Sequence, residues 1–134
     1  MKKVSAIIEM ASDGMYSIYM DADEMDYLVT ATGASSKEAI DDFNQGYEEI
    51  KASYKRDGKP FEEVEFDFKY DMASFLSYYT QAFSLAGLSR ITGINKSQLS
   101  HYATGYRKPS RATVDKIQES VHAFAKELSQ VKFV

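Results

Sequence analysis

The sequence predicts an α+β protein built from two small domains, residues 1–70 and 71–134. Three observations carry that expectation. Up to Tyr70 the apolar residues alternate with polar ones in four separate runs, the period of half-buried strands. From Asp71 onward they recur every three or four residues, the period of helices packed on one face. The charge changes at the same place. Residues 1–70 hold 8 Lys/Arg and 16 Asp/Glu, net −8, and residues 71–134 hold 8 Lys/Arg and 4 Asp/Glu, net +4, which together make the −4 of the 134-residue chain. Such asymmetry bears on partners and not on fold.

The elements follow in order. Val4, Ala6, Ile8 and Met10 share one face of a first strand, and Tyr16, Ile18 and Met20 one face of a second, with Ser12-Asp13-Gly14 as the turn between. Tyr27, Val29 and Ala31 make a third. Ser35 followed by Glu38 is a capping box. Ala39, Ile40, Phe43, Tyr47, Ile50 and Tyr54 then mark the stripe of a helix that Asp57-Gly58 ends. In a fourth strand Val64, Phe66, Phe68 and Tyr70 alternate with Glu63, Glu65, Asp67 and Lys69. The order is β-β-β-α-β, a small sheet with one helix over a face.

In the second domain Met72, Phe75, Leu76 and Tyr79 form the stripe of a helix over 71–83. Ser84 caps the next, with Leu85, Leu88 and Ile91 inward, and Gly93 turns the chain. Asn95 caps a third, in which Leu99 and Tyr102 face the core. Two short helices joined at a glycine-bearing turn, with another before them, describe a helix-turn-helix. In the final helix Val114, Ile117, Val121, Phe124, Leu128 and Val131 are spaced +3, +4, +3, +4, +3, a heptad seam. That seam is longer than a small helical core requires. Val121, Phe124 and Leu128 are expected to pair two copies of the chain, as a homodimer or a higher oligomer; packing against the chain's own sheet is the alternative.

Several classes of chemistry find no support. Without cysteine there are no disulfides, thiolate metal sites or cysteine nucleophiles, which suits a reducing compartment. The N-terminal MKKVSAIIEM meets Glu9 before a signal-peptide core could form, and no apolar run approaches the ~20 residues that span a bilayer. A cytoplasmic protein without membrane association is expected. Asp21, Asp23, Glu24 and Asp26 invite a calcium loop, but an EF-hand starting at Asp21 needs Gly where Asp26 stands and Glu where Thr32 stands. The cluster reads as a solvated loop. A two-metal nuclease needs carboxylates converging from several elements, and strand alternation leaves only Glu9 beside that cluster in the first two strands. There is no Gly-rich phosphate loop, no His pair at ligand spacing and no supported Ser-His-Asp set. The expectation is therefore a protein that is not an enzyme, with no catalytic residue, metal or cofactor.

The positive charge has an address. Between Gly93 and Ser110 the only charged residues are Lys96, Arg107 and Lys108. With Leu99, Tyr102 and Ala103 inward at 100° per residue, Ser97 and His101 point away from the core, Gln98 and Ser100 flank them, and Lys96 stands near the helix N-terminus. Gln and Ser hydrogen-bond base edges, and Lys bonds guanine or phosphate. Double-stranded DNA is the expected ligand, and the acidic surroundings should weaken indiscriminate binding. One short recognition helix offers few base contacts, so two copies on an inverted repeat, with half-sites about 10 bp apart or a multiple of that, are expected.

Two resemblances extend this reading. Residues 84–117, SLAGLSRITGINKSQLSHYATGYRKPSRATVDKI, resemble the lambda-repressor-like, or Xre-type, helix-turn-helix. Gly87 sits within the second helix, Gly93 makes the turn and Ile94 follows it. Gly105 ends the recognition helix, Arg107-Lys108 form the basic loop and Pro109-Ser110 open the next helix. Ala103 stands where that family often has glutamate. The resemblance places Arg107, Lys108 and Arg111 near the DNA backbone.

The N-terminal VSAIIEMASDGMYSIYM and TGASSKEAIDDFNQGYEEIKASYKRDGKPF are similar to the HicB antitoxins, most clearly in DGMY (13–16), in TG…S-x-E-A (32–39) and in DGKPF (57–61). DADEMDYLV stands where many members carry Pro-Asp-Leu-Pro-Gly. This resemblance implies a degenerate ribonuclease-H-like domain followed by a DNA-binding module. It further implies an antitoxin that masks a small basic HicA-type RNA-cleaving toxin through its N-terminal domain and represses its own operon. A net −8 domain is a fitting electrostatic mate for an RNA-binding partner. The alternative is a stand-alone dimeric transcriptional regulator whose N-terminal domain dimerises or senses a ligand.

Overall fold

The computed structural model describes residues 1–134. It is an α+β structure with a four-stranded mixed sheet and five helices. The chain divides into two compact units, Met1–Asp71 and Met72–Val134.

In the first unit β1 (Lys2–Met10) and β2 (Tyr16–Asp21) form an antiparallel hairpin in which Ile8 lies opposite Ile18. Its turn is closed by Ala11 N–H to Met15 O (2.8 Å), Gly14 N–H to Ala11 O (3.0 Å) and Met15 N–H to Asp13 Oδ1 (2.9 Å). β3 (Thr30–Gly33) joins β2 antiparallel, and β4 (Val64–Tyr70) joins β1 in parallel, giving the order β3-β2-β1-β4. A parallel pair needs a long crossover, supplied by α1 (Ser36–Arg56). The helix begins as its capping box dictates. Ser35 Oγ accepts from Glu38 N–H at 3.1 Å, and the Glu38 carboxylate accepts from Ala34 N–H at 3.1 Å.

Val4, Ala6, Ile8, Ile18, Met20, Ala39 and Phe43 are buried. Phe43 meets Phe66 edge-on, with ring centroids 4.7 Å apart. Where β3 passes the first turn of α1 there is room for hydrogen alone: a Cβ on Gly33 would lie 2.4 Å from Ala39 N. The free edge of β3 is blunted by Asp42, whose Oδ2 accepts from Thr32 N–H at 3.1 Å.

Two expectations are corrected here. Met10 is 37% exposed: it still pairs with Tyr16 of β2, but the pairing of β1 with β4 ends at Ile8, so the last residue of β1 has a neighbouring strand on one side only. Tyr27 and Val29 are buried but precede β3, which starts at Thr30. One backbone bond from β2, Met20 N–H to Val29 O (3.2 Å), still reaches that segment, and side chains hold the rest of it: Tyr27 stacks on Phe61 (4.6 Å), and its hydroxyl donates to Glu62 O at 2.6 Å.

The second unit contains α2 (Met72–Tyr79), α3 (Leu85–Thr92), α4 (Lys96–Thr104) and α5 (Arg111–Leu128). Leu76, Leu88, Ile94, Leu99, Tyr102 and Ile117 make its core, with Phe83 and Val121 among the residues packed around it. α2 is shorter than the 71–83 span. Ala82 N–H and Phe83 N–H both donate to Tyr79 O, turning the chain so that Phe83 meets Phe124 at a centroid distance of 6.0 Å. The seam on α5 is shorter too. Ser129 N–H donates to Ala125 O as the helix ends at Leu128, so Val131 lies beyond it. Its inner residues serve the unit's own core. No helix is long and apolar enough to cross a membrane.

Candidate functional site

The surface that carries the sequence-predicted site residues is built on α3, α4 and the loop after them. Ser84 Oγ accepts from Gly87 N–H (2.9 Å) and starts α3. Gly93 ends it at φ +73°, and Thr92 Oγ1 ties the turn by donating to Leu88 O (2.7 Å) and accepting from Ile94 N–H (3.2 Å). Asn95 Oδ1 accepts from Ser97 N–H (2.8 Å) and starts α4. Leu99 and Tyr102 anchor α4 in the core. Its opposite face is thereby fixed toward solvent. At Gly105 the chain turns through φ +77°, a region where a Cβ is costly. The turn brings Arg107 N–H back to His101 O at 3.2 Å.

Of the eight residues expected to meet a ligand, Ser97, Gln98, His101 and Arg107 line one shallow depression of about 360 Å³ together with Asn95. None of these lining residues is acidic. Gln98 is oriented by its Nε2, which donates to Tyr102 Oη at 2.9 Å. Lys96 and Lys108 are exposed outside the depression, and Ser100 is half-buried beside it. Arg111 is exposed and reaches Asp115 at 3.3 Å, an arrangement worth little at a surface. The unit as a whole holds 8 Lys/Arg and 3 Asp/Glu, net +5; Met1–Asp71 holds 8 and 17, net −9.

Lys96 occupies the first position of α4, where the helix dipole disfavours a cation by about 0.3–1 kcal/mol. Helix stability does not explain its place there.

Sequence reasoning missed Tyr106. It is 74% exposed, and its ring centroid lies 5.0 Å from that of His101, tilted by 56°. A lone aromatic following a left-handed glycine, outside every apolar period, was the available signal.

The three residues expected to pair copies differ. Val121 packs on the core and Phe124 is half-buried against Phe83, whereas Leu128 is 55% exposed. In the first unit no group of three His, Cys, Asp or Glu side chains is placed to hold a metal ion, the Asp21–Asp26 segment included.

Among known proteins, the chain matches no family model, no curated protein and no solved structure.

Proposed function

We propose that the chain is a DNA-binding transcriptional repressor of the HicB-like antitoxin kind. On this reading the second unit is a helix-turn-helix that holds operator DNA. The first is a degenerate ribonuclease-H-like domain that masks a small basic RNA-cleaving partner. One observation carries it. α4 presents Ser97, Gln98, His101 and the loop residue Arg107 on one solvent-facing depression, while Leu99 and Tyr102 clamp its other side. Base-edge readers on a rigid helix, with cations at both its ends, are what major-groove recognition requires. The β-β-β-α-β order supports the reading of the first unit, and its net −9 suits a partner that must itself grip phosphates.

The test uses the full chain and a random-sequence duplex library. Selection of a defined inverted repeat is the expected result. Lys96→Ala should weaken binding and lower the slope of log K against log[salt] by about one unit per bound copy. Failure to retain any duplex, even at low salt, would end the reading. For the partner, co-expression with a toxin-sized reading frame beside the gene should yield a complex that suppresses RNA cleavage. A sequence-selective chain with no such partner would instead be a stand-alone regulator.

A further inference from the structure

His101 points away from the core on α4 and its ring makes no hydrogen bond, so nothing on its own helix fixes the imidazole. The loop does. Gly105 turns the chain at φ +77° with no atom within 4 Å of where a Cβ would stand, so the turn is not shaped by packing at that point. What it achieves is the return of residues 106 and 107 to the outer face of α4. Arg107 N–H reaches His101 O, Tyr106 N–H reaches Thr104 Oγ1 at 3.4 Å, and the Tyr106 ring comes to rest against the His101 ring. Tyr106 is 74% exposed and is not part of the unit's core cluster, so burial does not account for its position.

We infer that Tyr106 is a positioning residue for DNA readout: its ring holds the His101 imidazole over the depression shared with Ser97, Gln98 and Arg107, so that His101 bonds one purine edge in each half-site. This rests on the DNA-binding reading above. The chemistry follows from the donor inventory. A histidine ring N–H donates to an acceptor, and purine N7 is an acceptor exposed in the major groove. An unsupported imidazole would lose rotamer freedom on binding, and a ring already held by a neighbour loses less. Arg107 is tied to the same turn, so one loop sets both the imidazole and the adjacent guanidinium.

The experiment takes the sequence selected by the full-length wild-type chain and measures affinity for every single-base variant of it. Tyr106→Ala and His101→Ala should each lose discrimination, on the order of tenfold, at the same position of each half-site. The double variant should be no worse than either alone. Tyr106→Phe should keep the discrimination, because it keeps the ring. Affinity for an unselected duplex should change less than about twofold in Tyr106→Ala, and the melting temperatures of all variants should stay together. Full retention of discrimination by Tyr106→Ala would overturn the inference and leave the DNA-binding reading standing. Losses at different positions in the two single variants would also overturn it, as would loss in Tyr106→Phe, which would make the hydroxyl itself a contact. A wild-type chain that selects no sequence would overturn the broader reading, and the inference with it.

Discussion

Two glycines in the first unit should respond to the same substitution with opposite signs. At Gly33 an added Cβ would stand 2.4 Å from Ala39 N, 2.9 Å from Glu38 C and 3.0 Å from Ala39 Cα. All three are backbone atoms of the first turn of α1, and no side-chain rotation can relieve them. That turn is held by the Ser35 and Glu38 caps and by the fully buried Ala39. Overpacking costs about 1–3 kcal/mol; with a rigid neighbour, Gly33→Ala should fall in the upper part of that range. At Gly46, in the middle of α1, the nearest atom to a new Cβ is Val29 Cγ1 at 3.7 Å, an ordinary contact. There Gly46→Ala should gain the helix-propensity difference, about 0.8–1 kcal/mol. For a unit of this size each kcal/mol moves the midpoint by about 4–8 °C. Gly33→Ala should therefore melt roughly 10–20 °C lower, and Gly46→Ala about 4–8 °C higher. Thermal denaturation of the full chain, followed by the amide I band of the sheet, reports on the first unit because every strand lies there. Shifts of the same sign, or a Gly33→Ala midpoint indistinguishable from wild type, would refute the close approach of β3 to α1.

Three further outcomes are expected. Gly105→Ala should cost about 1–2 kcal/mol from the left-handed backbone alone, since no atom obstructs its Cβ, and Gly105→Asn should recover much of it; urea denaturation followed by helical circular dichroism reads both. Burial, then Tyr47, Glu62 and Tyr54, hold the Tyr27 hydroxyl well above the ordinary tyrosine value. Its contribution is therefore present in full below about pH 10 and is lost as the pH rises beyond that. Tyr27→Phe should lower stability by about 1 kcal/mol at neutral pH, through the lost bond to Glu62 O, and flatten the alkaline decline seen in wild type. Leu128→Asp should abolish self-association in sedimentation velocity while leaving the monomer's melting unchanged, because Leu128 is 55% exposed. Phe124→Asp should also destabilise the unit through Phe83; a wild-type chain that sediments as a monomer would dispose of pairing.

What could be read from the sequence is what is decided within a few residues. Ser35, Ser84, Asn95 and Ser110 cap helices because a side-chain oxygen two or three residues ahead of an N–H needs no tertiary help. Gly93 and Gly105 take positive φ for an equally local reason. The misreadings concern contacts made at a distance. Tyr27 is held by a carbonyl 35 residues away. Phe124 belongs in part to Phe83, because α2 stops early and a turn redirects the chain. Periodicity identifies these residues as buried without saying against what, so it extends one segment into more of a strand than forms, and it counts Phe124 in the surplus of the seam beyond the core although Phe124 also meets Phe83.

The candidate site was less legible than the fold because its residues do not serve the fold. Lys96 stands against the dipole of its own helix, and Tyr106 contributes no core burial. Rules for reading sequence reward choices that agree with local stability, so residues chosen for a ligand show up as small disagreements with those rules. Charge follows the same logic at larger scale. At physiological ionic strength a surface charge acts over about 8 Å. Lys96, Arg107 and Lys108, on a stretch without a single acid, therefore govern their own surroundings despite a chain of net −4. On the DNA-binding proposal, the −9 of the first unit would add a repulsion, screened at this salt, wherever the chain lands on phosphate, and so lower the non-specific affinity common to all sequences. On that proposal, a modest number of base contacts on α4 would decide where the chain rests.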